Sequence, residues 1–180
     1  MSDILIILCP IILVLLIVGW LIRTRNDFVA KEIRVEEGLS GIEVALAKRY
    51  DLLTNLLQVT KGYIAYEKEI LTKIVELRKG MTVEELNTAN EEIDTFRNRL
   101  FAVVEEYPEL RANEVCVRLM HGIHDAEEHL QAARRLYNSN VTAYNTAIAV
   151  FPASLLAGGR QPKVFFSAEE NQHDAVSMTF

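Results

Sequence analysis

His121-Gly-Ile-His-Asp-Ala-Glu-Glu-His129 gathers three of the four histidines beside three carboxylates and is the stretch with metal-ligand chemistry. His121, Asp125 and His129 recur every fourth residue, so on a helix they share a face that could hold a zinc ion weakly. Ile123, Ala126 and Leu130 interleave with them, which turns much of that face towards solvent. A di-iron site in a helical bundle needs inward glutamates and Glu-x-x-His pairs, and no histidine of this cluster has a glutamate three positions before it. The expectation is a solvated polar face with no metal and no cofactor. Nucleophilic chemistry has still less to work with. Cys116 falls among apolar residues at helical spacing, as a small core residue does. The chain has no Gly-x-Ser-x-Gly, no phosphate-cradling glycine loop and no His-Glu-x-x-His. We therefore expect no catalytic residues and no enzyme activity.

A second constellation mixes tyrosine and amide side chains. Arg134-Arg-Leu-Tyr-Asn138 and Ala143-Tyr-Asn145 place Tyr137 with Tyr144, and Asn138 with Asn145, seven residues apart, so each pair is stacked on one helix face. Tyrosines on an apolar seam turn their rings inward and need partners for their hydroxyls. Together with Arg49, Asp51, Asn55 and Glu67 they could form a buried network that fixes helix register. A surface recognised by a partner is the alternative, and the network is the favoured reading.

The elements that must position these groups are helical throughout. Val35, Leu39, Ile42, Leu46, Tyr50 and Leu53 form one apolar stripe, and Leu56, Val59, Tyr63, Tyr66, Ile70, Ile74 and Leu77 a second. The seam shifts register near residues 50–56, so a helix break is expected at Asp51–Thr54. Arg78-Lys79 followed by Gly80 suits a helix end, and Thr82-x-x-Glu85 reads as a capping box. A third stripe runs through Leu86, Ala89, Ile93, Phe96, Leu100 and Val104, and Tyr107-Pro108 ends it because a residue before proline is pushed out of the α region. A fourth runs from Cys116 through Leu119, Ile123, Ala126, Leu130, Ala133, Tyr137, Val141, Tyr144 and Ile148 to Phe151, and Pro152 closes it. Gly38 and Gly41 would each cost ~1 kcal/mol inside a helix, offset by close helix approach or by a kink. No stretch alternates with period two. The fold class is all-α: an antiparallel up-and-down four-helix bundle over residues 23–151, then an irregular tail over 152–180. The tail is expected to pack on the bundle, the other reading placing Leu155, Leu156, Phe165 and Phe166 near a lipid surface.

Before the bundle, Ile4–Ile22 contains no charged residue. Nineteen helical residues at ~1.5 Å each reach roughly 28 Å, close to the hydrocarbon thickness of a bilayer. This predicts a transmembrane helix over residues 4–22, with Trp20 at the interface and Pro10 as a site for a kink. A cleaved signal peptide would need a basic start and a small-residue cleavage site, neither of which is found. Arg23, Arg25, Lys31 and Arg34 follow the apolar run, so positive charge predicts a cytoplasmic bundle with residues 1–3 outside. The 180 residues are half apolar and 24% charged, which excludes a disordered chain. A net charge of −6 argues against nucleic acid as a partner, and two cysteines, one of them within the apolar run, make no disulfide framework.

Four blocks in order behind this span resemble the LemA family. They are Arg49-Tyr-Asp-Leu-Leu-Thr-Asn-Leu56; Lys61-Gly-Tyr63 with Glu67; Glu106-Tyr107-Pro108-Glu-Leu-Arg-Ala-Asn113; and Ala133-Arg134-Arg-Leu-Tyr-Asn138 with Tyr144-Asn145 and Phe151-Pro152. The resemblance covers roughly residues 5–166. It implies a single-pass protein of a bacterial inner membrane bearing a four-helix bundle, with no catalytic residues to carry over. The family commonly has proline where Thr54 stands, which supports a helix start there. Some relatives are associated with internal membranes of magnetosome-forming bacteria. The expected function is a non-enzymatic scaffold, bound to lipid through residues 4–22 and to a protein partner through the bundle. Self-association that organises the membrane is the alternative.

Overall fold

The computed structural model describes residues 2–62 and 80–166, and its regular elements are helices, with no strand among the described residues. Helix α1 spans Ser2–Thr60, α2 Val83–Glu106, α3 Pro108–Arg111 and α4 Glu114–Ala149, followed by a 3-10 turn at Ala153–Leu156. The stripe residues Tyr63, Tyr66, Ile70, Ile74 and Leu77, and the expected helix end at Arg78-Lys79, lie outside the described residues.

The expected break at Asp51–Thr54 does not occur. Helix α1 runs unbroken for 59 residues, through Pro10 and through the end of the apolar stretch. Asp-Leu-Leu-Thr contains no breaker, and buried Leu53, Leu56 and Leu57 carry the apolar face across it. The helix stops at Thr60, whose hydroxyl donates back to the carbonyls of Leu56 (3.0 Å) and Leu57 (3.2 Å). Lys61-Gly62 then turns. The buried face keeps one seven-residue repeat through Ile42, Arg49 and Leu56, and the apparent shift of register arises because the seam position there is an arginine.

The other boundaries fall where local chemistry puts them. Gly80 takes φ 85°, the left-handed region that glycine enters freely. Thr82 caps α2 by a reciprocal box: Glu85 N–H donates to Thr82 Oγ1 at 3.2 Å, and Thr82 N–H donates to Glu85 Oε2 at 2.7 Å. Tyr107, extended before Pro108, ends α2. Asn113 caps α4 by accepting from the N–H groups of Val115 (2.9 Å) and Cys116 (3.2 Å).

The core lies along a heptad seam. Phe28, Val35, Ile42, Arg49 and Leu56 recur every seven residues on α1, all buried, and Cys116, Ile123, Leu130, Tyr137 and Tyr144 do so on α4. The two helices run antiparallel. The Asn140 amide donates to the Arg34 carbonyl at 2.8 Å, a Cβ on Gly38 would lie 3.1 Å from Tyr137 Cα, Arg49 meets Glu127 at 2.8 Å, and Leu52 packs on Gly122. Helix α2 runs the same way as α1, since Gly80 N–H donates to Glu43 (3.2 Å) while Asn90 and Asp94 reach Arg49. Two stripe positions differ from expectation. Asn90, not Ala89, is the buried residue of the second turn of α2, and Phe151 lies beyond the end of α4 and is exposed.

Of the three glycines in α1, only Gly38 marks a close approach; Gly19 and Gly41 are exposed, with open space where a Cβ would be. Gly41→Ala should therefore raise stability by ~0.5–1 kcal/mol through helix propensity. In Gly38→Ala the new methyl meets the Tyr137 backbone, so that gain should be absent or reversed. Urea unfolding of the full-length chain in detergent, followed by circular dichroism, measures both. Equal gains in the two variants would contradict the close approach.

Candidate functional site

Two polar constellations occupy the α1–α4 contact. At mid-height, Arg49 is completely buried, one of three polar residues in the described core with Thr60 and Asn90. Its position follows from the heptad: it takes the place that Ile42 and Leu56 hold one repeat away. A buried guanidinium needs charge and hydrogen-bond partners close by, and Arg49 has them at its two terminal nitrogens though not at Nε. Arg49 Nη1 donates to Asn90 Oδ1 at 3.1 Å, and Nη2 binds Asp94 Oδ1 and, at 2.8 Å, Glu127 Oε2. Asn90 Nδ2 in turn donates to Asp94 Oδ2 at 3.0 Å, fixing that carboxylate. Arg97, more exposed, approaches Asp94 at 3.7 Å and Glu127 at 3.8 Å. Two cations thus face two anions, and α1, α2 and α4 meet at one guanidinium.

The second constellation lies nearer the apolar stretch, where α1 and α4 extend beyond the start of α2. There the chain after α4 folds back as an extended strap. Asn138 Nδ2 donates to the Phe166 carbonyl (3.0 Å) while its Oδ1 accepts from Phe166 N–H (2.9 Å). Asn145 treats Lys163 identically, donating to its carbonyl at 2.9 Å and accepting from its N–H at 2.8 Å. Tyr137 donates its hydroxyl to the Val164 carbonyl at 2.8 Å. The spacing explains the repeat: seven helical residues rise ~10.5 Å, and three extended residues cover ~10 Å. Two asparagines one heptad apart therefore match Lys163 and Phe166 and satisfy their backbone as a neighbouring strand would.

Side chains secure the strap from its own side. Phe166 is buried beneath the Arg134 guanidinium, 5.1 Å from its ring centre, and Lys163 lies 5.7 Å from the Tyr144 ring while pairing with Glu32 at 3.1 Å. Arg160 stands over Phe28 at 5.4 Å. Burial pushes the Tyr137 phenol above its ordinary range, with the Glu84 carboxylate adding to the effect, so the hydroxyl stays protonated and able to donate.

The sequence thus identified Arg49, Tyr137, Asn138, Tyr144, Asn145 and Arg134 as a set, but the structure divides them between two sites. Asp51, Asn55 and Lys61 are exposed and outside both. Tyr63 and Glu67 lie outside the described residues. Tyr107, Pro108 and Asn113 shape the α2–α4 connection, while Phe151 and Pro152 are exposed after α4. Asn90, Asp94, Arg97 and Glu127 were not anticipated, although Asn90 and Asp94 are four apart on the face of α2 that carries Leu86 and Ile93. His121, His124, Asp125 and His129 are exposed, and among the described residues no group of three ligands is gathered for a metal. Cys116 is fully buried, which pushes its thiol up and away from thiolate reactivity.

An all-helical chain whose long N-terminal helix is apolar at one end and forms a core seam at the other defines the class. Within it, the chain belongs to the LemA family, which it matches over residues 38–180. It is 25% identical over 138 residues to Protein LemA of Metamycoplasma hominis, covering 74% of this chain and 63% of the relative. It is also 24% identical over 167 residues to magnetosome protein MamQ of Magnetospirillum gryphiswaldense, covering 76% and 61%, and 24% identical over 170 residues to magnetosome protein MamQ 2 of Paramagnetospirillum magneticum, covering 78% and 62%. The chain spans a little over three fifths of the length of these relatives.

Removing one partner of a buried ion pair costs about 3–5 kcal/mol, because the remaining charge is left unpaired. Arg49→Met should lose that much, and adding Asp94→Asn and Glu127→Gln should recover most of it, as read by urea unfolding. A triple variant no more stable than the single one would refute the charge-pairing account. For the strap, Asn138→Ala removes two hydrogen bonds of about 1 kcal/mol each. Hydrogen exchange at the Phe166 amide should accelerate roughly tenfold or more, with α2 unchanged; unaltered exchange there would mean the strap is held by other forces.

Proposed function

We propose that the chain is a single-pass protein of a bacterial inner membrane, and a non-enzymatic scaffold that binds another protein at the cytoplasmic face. In this reading α1 crosses the bilayer through residues 4–22 and continues into an antiparallel up-and-down four-helix bundle. The observation that carries it is the character of α1. Its 18-residue apolar window, with mean hydropathy 2.0, has none of its residues buried, and the large apolar side chains from Leu8 to Val18 are 44–66% exposed. A core helix of a soluble fold would bury such a surface, whereas a bilayer covers it at no cost in solvation. The apolar end passes into the core seam without a joint, so the bundle's direction relative to the membrane is set by helix rigidity. The positive charges after Ile22 favour the cytoplasmic side for the bundle.

The partner surface we favour is at the opposite end from the apolar stretch. An open groove of ≈ 570 Å³ between the end of α2 and the start of α4 is lined by Phe101, Val104, Glu105, Arg111, Val117, Met120 and His121. Apolar walls rimmed by a few charges suit a protein side chain or short helix. The similarity to the MamQ proteins favours a second reading, in which copies of the chain associate with one another to organise a membrane.

Full-length protein should resist carbonate extraction from membranes. A photo-crosslinking residue in place of Val117 should capture a second protein in native membranes, whereas one at Val44, more exposed but on the side of α1, should not. Capture only of further copies of this chain would replace the scaffold reading with self-assembly, and release by carbonate would remove both.

A further inference from the structure

Phe151 and Leu155 are 74% and 75% exposed, more than any large apolar side chain described in the hydrophobic stretch from Leu8 onward, and Val150 beside them is 54% exposed. Val150 and Phe151 precede, and Leu155 lies within, the 3-10 turn Ala153–Leu156, which packs on both α1 and α4. The turn's height is fixed from both sides. Helix α4 descends along α1 from Gly122 beside Leu52 to Asn140 beside Arg34, and nine residues of α4 remain below Asn140. After the turn, Arg160 covers Phe28 and Lys163 pairs with Glu32, so the chain is climbing again by then. The lowest point is therefore the turn itself. Leu21, Thr24 and Phe28, which share one face of α1, lose exposure there while Ile22, Arg23 and Arg25 keep it. Residues 21–28 are where the apolar stretch gives way to charge.

We propose that the Val150–Leu156 turn is a second membrane contact, inserting Phe151 and Leu155 into the interfacial layer of the same bilayer that α1 crosses. An aromatic and a leucine beside exposed Arg23 and Arg25 match a surface of acyl chains below and anionic phosphates above. Two contacts on different elements hold the bundle against tilting, which a single helix does not. Phe166, by contrast, is sealed under Arg134 and belongs to the strap. This inference rests on the membrane-crossing reading of residues 4–22.

The chain has one tryptophan, Trp20, so single-tryptophan variants report each position separately. Full-length protein is reconstituted into phosphatidylcholine–phosphatidylglycerol vesicles, with and without lipids brominated high on the acyl chain. Trp20 in the parent should be quenched, testing the span. In a Trp20→Phe background, Phe151→Trp and, as a second position, Leu155→Trp should be quenched about twofold, whereas Val44→Trp, on the exposed side of the bundle, should not. Quenching of Trp20 with neither turn variant quenched overturns the turn contact and leaves the span standing. No quenching of Trp20 overturns both. Equal quenching of Val44→Trp would show the bundle lying flat on the lipid and would also overturn the proposal.

Discussion

The antiparallel contact of α1 with α4 is the constraint on which the other described elements depend. It is long, it is continuous with the apolar stretch, and it is close at Gly38, where the backbone of α1 comes against Tyr137. Heptad spacing on both helices keeps the seam facing inward over its whole length. Helix α2 joins this pair only at and above the level of Glu43, through Gly80 and the residues that reach Arg49. Below that level, among the described residues, α1 and α4 leave Phe28, Tyr137 and Tyr144 to be covered from outside the pair. The strap supplies the missing cover, and its backbone groups find their partners in the side-chain amides of α4 rather than in another strand.

The two polar sites solve opposite problems of burial. Arg49 brings a full charge into the seam, and two carboxylates and an amide on two other helices must converge on it. Such a cluster adds little net stability over apolar packing, but a shift of one residue in any of the three helices would strand a charge, so it selects one register. The asparagines carry no charge and bind backbone, so they specify the path of the strap with little dependence on its side chains. Phe166 and the cations over aromatic rings then fix which residues lie where.

Much of this was legible along the chain. The apolar stretch, the capping box at Thr82, the stop at Tyr107-Pro108 and most of the stripes of the third and fourth helical segments follow from local rules of spacing and capping, while the family was legible in the four motif blocks. The break expected at Asp51–Thr54 failed because the seam position there is Arg49, a charge that apolar spacing passes over in favour of Tyr50. Asn90 was passed over in favour of Ala89 because an amide is ordinarily solvent-facing, and only the approach of Arg49 from another helix makes its burial favourable. Asp51 and Asn55 were grouped with Arg49 by proximity in sequence, although neither shares its helix face.

By itself, the sequence determined where helices form, which face of each is apolar, and that one end of the first helix suits lipid, because these depend on neighbours within a few residues. Only the tertiary structure decided which charges meet at Arg49, and that Asn138 and Asn145 grip the chain's own strap. It also decided that Phe151 and Leu155 emerge beside the end of the apolar stretch. Those pairings join residues tens of positions apart, and their energies depend on distance and burial, which periodicity along one helix does not encode.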